Sequence, residues 1–156
     1  MISVGVSINH YLMEVIGMYK KIALATDGSE HSKRAAQNAI KIAKCSPESK
    51  IEVLYVVDHN KSKSEVLSNW NTADISDSRK SKLRDVERMA EESGVSYDIK
   101  ILHGEPGPVI VDYVNKNNFE IVIIGSRGLN GLQEFVLGSV SHKVAKRAEC
   151  PVLIVK

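Results

Sequence analysis

The stretch Glu120-Ile-Val-Ile-Ile-Gly125-Ser126-Arg127-Gly128, with Gly138-Ser139-Val140-Ser141 beyond it, decides how this chain is read. An apolar run with no alternation predicts a strand covered on both faces, as in a parallel sheet flanked by helices. A glycine-rich loop then leads into a helix expected from about Ser139 to Ala148, with Val140 and Val144 inward. Glycines let backbone N–H groups approach an anion, and a helix start offers unpaired donors at its positive dipole end. Ser139 and Ser141 add hydroxyls. Taken alone, the loop fits a phosphate cradle and fits equally an ordinary strand-to-helix connection with Ser139 as cap. No Gly-Lys-Ser/Thr ends it, and Gly125 and Gly128 are not spaced as in a GxGxxG turn. Arg127 reads as a phosphate ligand or as a solvated loop arginine.

Outward from this stretch, strand and helix patterns alternate. Lys21 to Thr26 is a short apolar run that stops at Asp27-Gly28-Ser29, a turn signal. Ser29 or Ser32 can cap the following helix, whose Ala36, Ile40 and Ala43 share a face. Pro47 bars its continuation. Ile51 to Val57 is β-branched and reads as a buried strand. Asp58 to Asp74 has no clean period and reads as a loop, functional or mobile, that holds the single tryptophan, Trp70. A helix is expected from about Asp77 to Glu92, with Leu83, Val86 and Ala90 inward and Gly94 ending it. Tyr97 to His103 alternates like a strand near a sheet edge. Gly104-Glu105-Pro106-Gly107-Pro108 reads as a turn, with proline suited to open the helix after it, which buries Ile110, Tyr113 and Val114. Val152 to Val155 is the last strand. Parallel strands need crossovers of this size, so the class is a three-layer α/β sandwich with about five parallel strands.

The chain has 156 residues, enough for one self-sufficient core. With 43% hydrophobic and 26% charged residues it has the composition of a soluble globular protein. A net charge of +2 and only 5% aromatic residues give no reason to expect nucleic acid or a membrane as partner. The two cysteines, Cys45 and Cys150, form no metal-ligand spacing and read as reduced thiols of a cytoplasmic protein. None of the five histidines stands at a zinc-binding interval from another ligand. Residues 1–17 are moderately apolar, lack a basic start and are too short to span a bilayer. They are expected to form a weakly ordered extension, and Met18, directly before the first strand, is an alternative start of translation. Residues 18–156 form the domain.

Gly125-x2-Gly128-x9-Gly138-Ser139 resembles the G-2x-G-9x-G-[S/T] signature of ATP-binding universal stress proteins. Lys20-Lys21-Ile22 through Thr26-Asp27-Gly28-Ser29, Gly104, the block from Glu120 and Cys150-Pro-Val-Leu-Ile-Val are also similar to that family. The resemblance implies the adenine nucleotide alpha hydrolase-like fold and a sheet order of 3-2-1-4-5. Strand order then reverses between the first and fourth strands, and open α/β sheets bind ligands at such a switch point. It further implies ATP, ADP or AMP as ligand, with Mg²⁺ or Mn²⁺ carried on the phosphates. By the same resemblance Asp27 lies beside the nucleoside, Ala25 offers a backbone contact and Val56 flanks the adenine. Ile124, Gly125, Arg127, Gly128, Gly138, Ser139, Val140 and Ser141 hold ribose and phosphates. Each has a plainer reading: Asp before Gly forms turns, and Val56 suits a core. Ala25 departs from the proline of some family members. Trp70 and its loop cover the site or lie on the surface.

No catalytic constellation stands out, and slow ATP hydrolysis would need only positioning and metal charge. The expected function is an ATP-binding stress-response regulator, a homodimer joined along the last strand, acting on an unknown protein partner. The rival is a protein-interaction module of the same fold that binds no nucleotide. A phospho-acceptor receiver is set aside because the third strand ends at His103-Gly104, with no aspartate there. An adenylating enzyme is set aside because Thr26-Asp27-Gly28-Ser29 is too short for its loop.

Overall fold

A computed structural model describes residues 19–58, 72–127 and 137–156. The expectations for residues 1–17, Met18, Trp70 and Gly128 lie outside the described residues. The strands are β1 (Lys21–Thr26), β2 (Lys50–Val57), β3 (Ser96–His103), β4 (Ile121–Gly125) and β5 (Val152–Val155). Between them run helices α1 (Glu30–Ala43), α2 (Thr72–Ser93), α3 (Pro106–Lys116) and α4 (Ser139–Arg147). The five strands form one parallel sheet in the order β3-β2-β1-β4-β5.

Alternation along β1 explains the layers. Ile22 and Leu24 point to one face, where they meet Ala35, Ala36, Ala39 and Ile40 of α1 and Leu83 and Val86 of α2. Ala23 and Ala25 point to the other, with Ile110, Val111 and Val114 of α3 and Val144 of α4. Each fully buried Ile, Leu or Val contributes about 1.5–3 kcal/mol relative to exposure, so the central strands carry most of the hydrophobic stabilisation. The alanine face of α1 lets that helix lie close to the sheet.

Local differences from the sequence reading have physical causes. Helix α2 begins at Thr72, not near Asp77, and takes in Thr72 to Asp74 that read as loop. The polar residues from Thr72 to Asp77 give no apolar period by which the sequence could have marked this start. In α3 it is Val111 that is buried beside Ile110 and Val114, while Tyr113 is half-buried. Its hydroxyl donates to the Glu52 carboxylate on β2, so the ring stays at the rim. In α4 Val144 is fully buried but Val140 only half, and the helix ends at Arg147. Among the described residues no helix is long and apolar enough to cross a membrane.

Candidate functional site

The loops after β1 and β4 leave adjacent strands at their carboxyl ends, where the strand order reverses. After β1, Asp27 Oδ1 accepts the Ser29 N–H at 2.9 Å, so the carboxylate helps to shape its own turn. Ser29 caps α1: its Oγ accepts the Ser32 N–H at 3.2 Å. Ser29 thus caps the Ser32 amide, and Glu30 puts an acidic charge in the first turn of α1.

After β4 the hub is Ser126. Its N–H donates to Val155 O on β5 at 2.7 Å, and its carbonyl accepts the Gly138 N–H at 2.8 Å. The Ser141 hydroxyl lies 2.9 Å from the same carbonyl and 3.0 Å from Gly138 O. The Gly138 amide and the Ser141 hydroxyl are thus engaged in joining the loop to the helix. The approach at Gly138 is close: a Cβ there would sit 3.3 Å from Ser126 O and 3.4 Å from Arg127 Cα, so a side chain would need its neighbours to give slightly. At Gly125 the space is closed by backbone. A Cβ would fall 2.8 Å from the His31 carbonyl carbon and 2.9 Å from Ser32 N, because the first turn of α1 packs against the end of β4.

The start of α4 differs from that of α1. Gly138 is its N-cap, so Ser139 is the first helical residue and not the cap. Among the described residues no side chain caps this end, and no acidic residue stands in its first turn. Among them, too, the amides of Ser139, Val140 and Ser141 meet no acceptor. Helix α3 presents fewer donors at its start because proline occupies its first turn. The open end of α4 is therefore suited to an anion. Half-buried Arg127, from the loop beside it, adds positive charge.

Ala25 and Ile124 are register partners on neighbouring strands and are both buried. Val56, half-buried on the same face, packs against the α3/α4 core and pairs in register with Leu102. These three form an apolar floor at the carboxyl end of the sheet, and as side chains they serve the core. Together with Asp27, Gly125, Arg127, Gly138, Ser139, Val140 and Ser141 they gather at one end of β1, β2 and β4. Among the described residues no cluster of three or more His, Cys, Asp or Glu could hold a metal ion.

One residue that sequence reasoning passed over lies between the two loops. His31, in the first turn of α1, has its Nδ1 3.2 Å from Ser126 Oγ and 3.0 Å from an Arg34 guanidinium nitrogen. Burial and then the positive charges of Arg34 and Arg127 push its pKa below the usual histidine value, against an opposing pull from Asp27. Arg34 also donates through Nε to Lys156 O at 2.7 Å. No local pattern in the sequence pairs His31 with Ser126.

Comparison with known proteins places this geometry in a family. The model of the universal stress protein family matches residues 18–156. A universal stress protein of Methanocaldococcus jannaschii is 34% identical over 162 residues, spanning 96% of this chain and 92% of the relative. A solved structure of a protein described as hypothetical, used to assign its biochemical function, superposes with a TM-score of 0.77 at 31% identity. That match covers 89% of this chain and 96% of the other. A universal stress protein family member from Arabidopsis thaliana, solved with AMP bound, superposes with a TM-score of 0.63 at 25% identity, over 88% of this chain and 91% of its own. By sequence and by fold, the chain belongs to the universal stress protein family.

Proposed function

We propose that this universal stress protein is an ATP-binding regulator, with the nucleotide held above the carboxyl ends of β1 and β4. The observation that carries the reading is the open start of α4. The amides of Ser139, Val140 and Ser141 have no acceptor among the described residues, whereas the start of α1 is capped and acidic. An anionic phosphate group satisfies such donors and the helix dipole together. The Arabidopsis relative solved with AMP supports an adenine nucleotide. Val56 would flank the base, with Ala25 and Ile124 contributing backbone beneath it, Asp27 would lie by the nucleoside, and Gly125 and Arg127 would line the phosphate side. Mg²⁺ or Mn²⁺ would travel with the phosphates, since among the described residues no carboxylate cage stands at this end of the sheet.

The bound nucleotide would govern shape or partner choice in a cytoplasmic homodimer joined along β5, in keeping with free Cys45 and Cys150 and a bare apolar edge. Calorimetric titration of nucleotide-stripped protein with ATP, ADP, AMP and GTP, with and without Mg²⁺, tests the reading. Saturable one-site binding of ATP, tighter than GTP, is expected. No heat with any nucleotide would favour an interaction module without nucleotide.

A further inference from the structure

We infer that His31 is a positioning residue for the phosphate-binding end of α4, acting as a neutral acceptor that holds Ser126 in place. The inference rests on the nucleotide site proposed above. A guanidinium has only donors, so its approach to His31 Nδ1 at 3.0 Å makes that nitrogen an acceptor. The ring is then neutral and carries its proton on Nε2. The Ser126 hydroxyl, 3.2 Å from the same nitrogen, donates to it.

Ser126 is where three elements meet. Its main chain bonds to Val155 at the sheet edge and to Gly138 at the N-cap of α4, and its carbonyl also faces the Ser141 hydroxyl. Holding its side chain fixes the peptide that orients the first turn of α4. The backbone of His31 is itself seated against Gly125, at the distances that exclude a Cβ there. Arg34 completes the link by binding Lys156 O beyond β5. A chain of contacts thus runs from the end of β5 through Arg34, His31 and Ser126 to α4.

Protonation of Nδ1 would break the chain at Arg34, because two donors would then face each other, and would force the Ser126 hydroxyl to turn from donor to acceptor. The charged groups around the ring are Arg34 on its own helix, Arg127 after β4 and Asp27 after β1. Burial and then the two arginines oppose protonation and Asp27 favours it, so the ring charges only below the ordinary histidine value.

The test has two arms. In the ligand-free arm, imidazole nitrogen NMR of the full chain should show His31 as the Nε2–H tautomer, titrating below the usual histidine value. The Arg34→Gln variant should titrate higher. An Nδ1–H tautomer, or a titration unmoved by Arg34→Gln, would overturn the inference whether or not any nucleotide binds. In the second arm, ATP affinity is compared across pH. His31→Leu should weaken ATP roughly five- to tenfold at pH 7.5, the scale of one lost hydrogen bond. His31→Asn, whose Oδ1 replaces Nδ1 as acceptor, should restore most of it. Wild type should lose affinity on acidification relative to His31→Asn, with the titration of ATP itself cancelling between them. Equal pH profiles would overturn the inference. Wild type binding no ATP at all would instead overturn the nucleotide reading. Should His31→Leu fail to fold, His31→Asn and Arg34→Gln still decide.

Discussion

Tyr113 reaches from α3 to Glu52 of β2, and its phenol is the clearest reporter of how that helix meets the sheet. Burial, and then the bond to Glu52, push its pKa up to about 12 from an ordinary value of 10.0. The folded state therefore keeps a proton that the unfolded chain releases. Stability from this residue is present in full below pH 10 and is lost as pH rises towards 12. Tyrosinate absorbance should show a phenol titrating at about pH 12 in wild type that Tyr113→Phe removes. That variant should also lose about 1 kcal/mol in denaturant unfolding at pH 7, since the Glu52 carboxylate loses its donor. Gly125→Ala should cost about 1–3 kcal/mol, because the new Cβ meets the His31–Ser32 backbone and one side must move. Such facts are hidden from local pattern. His31 and Ser126 are 95 residues apart, and the glycines at 125 and 138 read as room for a ligand when much of that room is taken by the protein's own backbone.

At the scale of elements, the apolar runs of β1, β2, β4 and β5 were legible because buried parallel strands need uninterrupted β-branched and aliphatic residues. The start of α2 was not, because Thr72 to Asp77 has polar spacing that fits a loop as well as a helix. The start of α4 was legible as a helix start, but not which donors stay open, since that depends on Gly138 spending its amide on Ser126. A single substitution tests the open donors. Proline is tolerated at the first position of a helix, and Gly138 already has the extended conformation, φ −62° and ψ 156°, that a following proline requires. Ser139→Pro therefore removes one amide and keeps the helix. It should leave thermal unfolding nearly unchanged and weaken ATP about tenfold, the size of one hydrogen bond to a charged group. Unchanged affinity in a folded variant would remove that amide from the site.

For the whole molecule, alternation of strand and helix indicated a parallel three-layer sandwich, but strand order came from family resemblance. Local spacing does not say on which side of β1 the fourth strand adds; that is settled by which helix faces cover which strand faces. The order leaves β3 and β5 as edges. All residues of β5 remain half-buried, and its outer backbone faces no strand among the described residues. A short apolar edge of this kind pairs readily with another copy. Light scattering at micromolar concentration should give twice the 17.2 kDa chain mass, and a monomer would contradict the dimer. Such an edge would also join the site of one copy to that of the other through Val155 and Ser126. The central claim, that the first-turn amides of α4 receive the phosphates, is tested most directly by amide NMR of the full chain titrated with ATP. The account predicts large downfield shifts of Ser139, Val140 and Ser141, beyond those seen with adenosine alone. Shifts of those amides that are absent, or equal with adenosine, would contradict it.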